Sequence, residues 1–204
     1  MVITATEDNA LIAFDLAMHE MKRFDELFSC ALTSIITVPS LKCFITVHDE
    51  NTFYLWSMML GKIVLKFNGH EKFVSCVAFD ESSGRLFSGS GDGTIREWNI
   101  QNGEEICRRL DSDHKINNLV FSPKHSKLIA FSDDFFIRSW PCDSYNSVIL
   151  PRMKRRKKIQ RFYDLSANGR YATVHSDNAI VFYDAVDGLE LREISWPHET
   201  DRKS

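Results

Sequence analysis

The chain has 204 residues and a net charge of −3, with 44% hydrophobic and 26% charged residues. This is the composition of an ordinary soluble globular protein and excludes a collagen-like or low-complexity chain. No stretch reaches the length of a membrane span, no secretory signal is expected at the N-terminus, and a near-neutral balance by itself selects no polyanionic partner.

Short runs of β-branched and aromatic residues, separated by turn residues, predict strands from one end to the other. The first unit begins at Val2 to Ala5, continues with Leu11 to Phe14 and closes near Met18 to Phe24. Its last segment is ambiguous, because Met, Lys, Arg and Glu also favour helix. In the second unit the strands are Leu32 to Val38, Cys43 to Val47, Thr52 to Trp56 and Ile63 to Phe67. The third opens with Gly69-His70, followed by Phe73 to Phe79, Arg85 to Ser90, Thr94 to Trp98 and Glu104 to Leu110. Gly91-Asp92-Gly93 and Asn102-Gly103 read as its tight turns. The fourth unit offers Ile116 to Phe121, Leu128 to Phe131, Phe136 to Trp140 and Ser147 to Leu150. The fifth offers Ile159 to Tyr163, Tyr171 to Val174, Ala179 to Tyr183 and Leu189 to Ile194.

A fixed register runs through these units. An acid is followed six positions later by an aromatic at Asp8/Phe14, Glu50/Trp56, Asp92/Trp98, Asp134/Trp140 and Asp177/Tyr183, with steps of 42, 42, 42 and 43 residues between acids. Four positions before each acid stands a small residue: Thr4, Thr46, Ser88, Ala130 or Thr173. Such an internal repeat is the signature of propeller blades, each a four-stranded antiparallel sheet.

The third unit, from Gly69-His70 through Ser88-Gly-Ser-Gly-Asp92-Gly-Thr-Ile-Arg-Glu-Trp98-Asn99, resembles the WD-repeat family, and the resemblance covers nearly the whole chain. It implies an all-β fold of about four and a half to five blades, an open arc from a larger propeller. The units are 1–26 (partial), 27–68, 69–111, 112–153 and 154–196 of a single array over 1–204. The stretch Gly69 to Asn99 is also similar to propellers of ciliary and cytoskeletal proteins. An array that does not close would leave apolar faces, such as those carrying Ile3, Leu11, Phe162 and Tyr183, partly in water and prone to self-association.

The resemblance further implies a hydrogen-bond relay within each blade, in unit three from His70, Ser88, Asp92 and Trp98. Its chemistry is sensible, since a carboxylate accepts from an imidazole, a hydroxyl bridges, and a buried indole N–H needs an acceptor. The fourth unit keeps His114, Asp134 and Trp140 but has Ala130 in the hydroxyl position. The second has Thr46, Glu50 and Trp56 without a Gly-His pair. His48 and His175 are expected at surface or turn positions.

Two motifs have sharper competing readings. The run Gly89-x-Gly91-x-Gly93 matches a phosphate-binding loop by composition, but such loops open a helix, and strand alternation follows here. Ser88, His70 and Asp92 match a hydrolase triad by type, but that chemistry needs an exposed nucleophile, and the repeat puts Ser88 on a buried strand. No His spacing suits a metal, and no cofactor is expected. The five Cys are odd in number and lack C-x-x-C spacing, which suits reduced thiols in a cytoplasmic or nuclear protein.

One feature stands outside the repeat. Arg152, Lys154, Arg155, Arg156, Lys157, Lys158 and Arg161 form a basic run, leaving the rest of the chain at −10. It reads first as a solvated loop, then as a nuclear-localisation patch, then as a site for an acidic protein, phosphoinositide or nucleic acid. The missing interleaved aromatics argue against nucleic acid, and the missing Arg-Arg-Gly tripeptide argues against phosphoinositide. The function expected from the family resemblance is a non-catalytic scaffold for protein partners; the alternative is acidic-headgroup or nucleic-acid binding through 152–161.

Overall fold

The structure is a computed structural model. It describes residues 2–6, 10–15, 20–24, 30–110, 113–122, 125–134, 137–141, 148–149, 159–166, 170–176, 179–184 and 189–195. Two compact units divide the chain, residues 1–116 and 117–204.

In residues 1–116 three antiparallel meanders follow one another. Sheet I is β1 (Val2–Ala5), β2 (Leu11–Asp15) and β3 (Glu20–Phe24). Sheet II is β4 (Leu32–Val38), β5 (Cys43–His48), β6 (Thr52–Ser57) and β7 (Lys62–Asn68). Sheet III is β8 (Val74–Asp80), β9 (Arg85–Ser90), β10 (Thr94–Asn99) and β11 (Glu105–Leu110). Every residue of β5 is buried, because sheet II is covered on both faces. On one face Phe44, Tyr54 and Trp56 pack with Leu11, Ala13 and Phe24 of sheet I. On the other, Ile45, Val47, Phe53, Leu55 and Phe67 pack with Val77, Leu86 and Trp98 of sheet III. Period-two alternation sends neighbouring residues of one strand to these two interfaces.

The interfaces are aromatic. Phe24 meets Phe44 edge-on at 5.2 Å and Trp56 at 5.7 Å. Phe53 stacks on Phe67 at 4.5 Å, and both rings meet Trp98 in T-shaped geometry at 5.6 and 5.7 Å. These contacts settle residues 20–24 of the ambiguous segment as strand, and Met18 and His19 lie outside the described residues. Pairing of Leu11 with Phe24 and burial of Phe24 against two rings outweigh the few tenths of a kcal/mol per residue that helix propensity offers. A register shift recurs just before the repeat aromatic, between Leu55/Trp56 and Glu97/Trp98. It increases local twist and re-aims the indole.

In residues 117–204 the same plan appears twice. Sheet IV is β12 (Ile116–Ser122, whose first residue closes the other unit), β13 (Lys127–Ser132), β14 (Ile137–Pro141) and β15 (Val148–Ile149). Sheet V is β16 (Ile159–Leu165), β17 (Tyr171–Ser176), β18 (Ala179–Asp184) and β19 (Glu190–Ser195). The register shift returns between Phe182 and Tyr183. Leu128, Ile129, Ala130, Phe131 and Trp140 fill sheet IV, and Ala179, Val181 and Tyr183 fill sheet V.

The expectation of wet apolar faces is corrected at two of its residues. Leu11 is 2% exposed and Tyr183 5%. Leu11 faces sheet II and is covered by it, whereas Ile3 is only partly buried against the same cluster. The side chain of Phe162 lies outside the described residues.

Candidate functional site

The turn between β9 and β10 organises sheet III. Gly93 sits at φ 78°, in the left-handed region that glycine adopts without strain. The preceding Asp92 spreads four acceptor contacts around its carboxylate. Oδ1 accepts from the Thr94 N–H at 2.8 Å and the Thr94 hydroxyl at 2.6 Å. Oδ2 accepts from the Glu71 N–H at 3.0 Å and from His70 Nδ1 at 2.9 Å. Burial alone would raise the Asp92 pKa, but donation from His70, Thr94 and Glu71 outweighs it and holds the carboxyl well below the usual range.

An ionised Asp92 makes Nδ1 of His70 the protonated nitrogen. Nε2 is then an acceptor, 2.7 Å from Ser88 Oγ, and the hydroxyl donates to it. The same oxygen accepts the indole N–H of Trp98 at 2.7 Å. Trp98 is 1% exposed and Ser88 0%. The chain from indole to carboxylate is fully satisfied, and it joins β9, β10, their turn and the 69–73 connection.

Glycine is required around it. A Cβ at Gly69 would lie 2.5 Å from Arg96 Nη1 and 3.1 Å from Trp98 Cη2. In the run 89–93, a Cβ at Gly89 would strike Ile116 at 2.6 Å and one at Gly91 the ring of Phe73 at 2.8 Å. The run leads into strand β10, so these glycines serve close packing and a turn. No phosphate-binding helix follows them.

Sheet II reaches a similar end with different residues. Trp56 Nε1 donates to Thr46 Oγ1 at 2.9 Å, and that hydroxyl lies 3.1 Å from His48 Nε2. His48 is 2% exposed, which replaces the expected surface or turn position. Burial lowers its pKa, opposed by a hydrogen bond to the backbone at Cys30 and by the charge of Glu50. A neutral ring therefore accepts from Thr46. The signal was available, since residues two apart on a strand share a face, and Thr46 and His48 are such a pair. Glu50 accepts from the Tyr54 hydroxyl at 2.8 Å.

In sheet IV, Asp134 accepts from Ser132 at 2.7 Å and from Arg138 Nη2 at 2.5 Å. Arg138 is 7% exposed and Trp140 2%. His114 is exposed and belongs to residues 1–116. A further repeat position thus emerges four residues after each of these acids: Tyr54, Arg96 and Arg138. Arg96 Nη2 is 4.0 Å from Asp92, and its Nη1 is 2.5 Å from Glu105 Oε2. The identical spacing Asp-x-x-x-Arg-x-Trp in units three and four was its sequence signal.

The basic residues Arg152, Lys154, Arg155, Arg156, Lys157 and Lys158 lie outside the described residues. Arg161 falls in β16, and its side chain lies outside them as well. Among the described residues no helix is long and apolar enough to cross a membrane.

Comparison with known proteins finds relatives of this repeat. The model of the WD domain, G-beta repeat, matches residues 61–99. Human pre-mRNA-processing factor 17 is 28% identical over 160 residues, which cover 74% of this chain and 26% of that protein. Arabidopsis thaliana protein ROOT INITIATION DEFECTIVE 3 is 43% identical over 100 residues, 43% of this chain and 23% of that one. Human striatin is 28% identical over 99 residues, 47% of this chain and 13% of the relative. The matched part of the chain therefore spans about a quarter or less of these relatives' length. A chain in the crystal structure of the mitotic checkpoint complex superposes with a TM-score of 0.72 at 12% identity, over 95% of this chain and 63% of that one. With its repeat register, blade-like sheets and these relatives, the chain resembles the WD-repeat family, and its fold is that of β-propeller blades.

Proposed function

We propose that the chain is a non-catalytic scaffold that binds protein partners through the loops at the ends of its blades. One observation carries this reading. In sheet III the reactive groups of the site are consumed by one another, and what they fix is the connection at 69–73. Ser88 Oγ accepts from an indole and donates to an imidazole on a strand buried from Leu86 to Ser90. A serine hydrolase needs that oxygen in reach of a substrate and of oxyanion donors. A rigid loop end lowers the entropy lost on binding, so a relay that immobilises a loop suits a surface for partners. The relay residues in this reading are structural, and partner choice lies in exposed side chains such as Glu71 and Lys72.

Charge reversal at Glu71→Lys and Lys72→Glu, followed by quantitative affinity purification from cells, tests it. Co-purifying proteins are expected to drop out while the melting temperature is kept. Stoichiometric labelling of Ser88 by a fluorophosphonate in the folded chain, or a wild-type chain that retains no protein above an unrelated control, would overturn the scaffold reading.

A further inference from the structure

The turn between β6 and β7 is tightly built and tucks Met58 against the core, and yet it shows its other two large apolar side chains to water. Gly61 N–H donates to Ser57 O at 2.9 Å and Leu60 N–H to Ser57 Oγ at 3.2 Å. Lys22 of β3 holds it from the side, its Nζ donating to Met58 O at 2.8 Å and Met59 O at 3.0 Å. Met59 is nevertheless 72% exposed and Leu60 64%. The neighbouring turn of the same sheet, between β4 and β5, adds Leu41 at 46%. The two turns are adjacent, since Met58 N–H donates to Lys42 O at 3.1 Å.

Sheet III serves as an internal control. One repeat length on, the turn between β10 and β11 has the same build. Gly103 N–H donates to Asn99 O at 2.8 Å, Gln101 N–H to Asn99 Oδ1 at 2.8 Å, and Gly103 has φ 78° against 68° at Gly61. There the positions of Met59 and Leu60 are Gln101 and Asn102, and that of Leu41 is Ser83. The blade architecture therefore does not ask for apolar residues at these tips. Exposing a contiguous apolar knob has a solubility cost that a scaffold tolerates where a partner covers it.

Charge says what kind of partner. Lys22, Lys42 and Lys62 are all exposed beside the knob. The position of Lys62 is Glu104 in sheet III, and that of Lys42 is Gly84. Among the described residues the carboxylate of Glu81 stands near and accepts the Ser40 N–H at 3.0 Å. A knob of flexible Met and Leu side chains with a lysine rim fits a segment that interleaves large apolar residues with Asp or Glu.

We propose that the Leu41, Met59 and Leu60 tips of sheet II, with Lys22, Lys42 and Lys62, form a docking site for an acidic, apolar peptide segment of a partner protein. It rests on the scaffold reading and adds to it a second surface, at the turns opposite the Asp92 end.

The test is selection of a random short-peptide phage library on the full chain, with counter-selection on the variant Met59→Gln, Leu60→Asn. That variant borrows the residues of the sheet III turn and should keep the melting temperature. Selected peptides are expected to alternate Asp or Glu with Leu, Ile, Phe or Met. A synthetic copy of the best should bind the variant roughly tenfold or more weakly. Its affinity for wild type should fall with salt, and less steeply for Lys42→Asn, Lys62→Gln. The proposal is overturned by peptides without acidic bias, by peptides that bind both proteins equally, or by an empty selection. It is equally overturned if the turn substitution abolishes binding to phosphatidylserine vesicles or a concentration-dependent dimer in place of peptide binding. Partners that survive Met59→Gln, Leu60→Asn but are lost on charge reversal at 71 and 72 would leave the scaffold reading standing alone.

Discussion

Ser88 Oγ carries two hydrogen bonds in a space that water does not reach, so its neighbours are sensitive to substitutions that strand one partner. Trp98→Ala removes an indole packed against Phe53 and Phe67 and leaves the hydroxyl without its donor. It should cost about 3–5 kcal/mol in urea unfolding, the range for large buried aromatics, whereas a small shift would contradict the burial. Asp92 gives a pH test. Its carboxyl pKa is depressed in the folded state, so its contribution is full above the unfolded value near 3.9 and is lost as pH falls through the folded value. Asp92→Asn should therefore lower stability by roughly 1–3 kcal/mol at neutral pH, and the gap from wild type should close as pH drops below about 4. A gap that stays constant from neutral pH to the acid limb would remove the ionised carboxylate from the account.

At the scale of elements, β3 shows how a strand of indifferent propensity is fixed from outside. Glu20 to Phe24 contains good helix formers, yet Phe24 is 2% exposed between Phe44 and Trp56. Phe24→Ala should cost about 3–5 kcal/mol and increase amide exchange along β3, an edge strand of its sheet; exchange spread evenly over sheets I and II would argue against that local anchoring. Sheet II illustrates a second rule. Lacking a Gly-His pair, it takes its imidazole from the end of β5. His48→Ala should weaken sheet II by roughly 1–3 kcal/mol with no loss of the sheet III contacts, as read by the near-ultraviolet signals of Trp56 and Trp98 in single-tryptophan backgrounds. The Asp-x-x-x-Arg-x-Trp spacing shared by sheets III and IV leads to different pairings, because His70 occupies Asp92 while Arg138 occupies Asp134.

Across the whole molecule the cysteines report opening. Cys43 and Cys76 are buried, and burial raises both thiols, Cys76 being pushed up to about 12. Cys30 and Cys107 are partly exposed. Maleimide labelling read by peptide mass should reach Cys30 and Cys107 in the native protein. It should reach Cys43 and Cys76 only as sheets II and III unfold, because the thiolate is the reacting form. Rapid native labelling of Cys76 would contradict the packing between Gly89 and Ile116. The same buried interfaces explain why alternation in β5 and β10 is apolar or polar on both faces and still marks strands: neither face is left to water.

The repeat is legible in the amino acids alone. Its period, the acid and aromatic register and the turn glycines give five sheets of the blade type, their strands to within a residue or two, and Trp56, Trp98 and Trp140 as interior residues. These are local quantities, set by alternation and turn chemistry within some forty residues. Folding in three dimensions is what buries His48, brings Tyr54 to Glu50 and Arg138 to Asp134, and leaves Met59 and Leu60 in water beside Lys22. Each of those depends on which side chain arrives from another strand or sheet, and the physical reason is competition. A carboxylate or hydroxyl has few lone pairs, and the donor that packing brings nearest takes them.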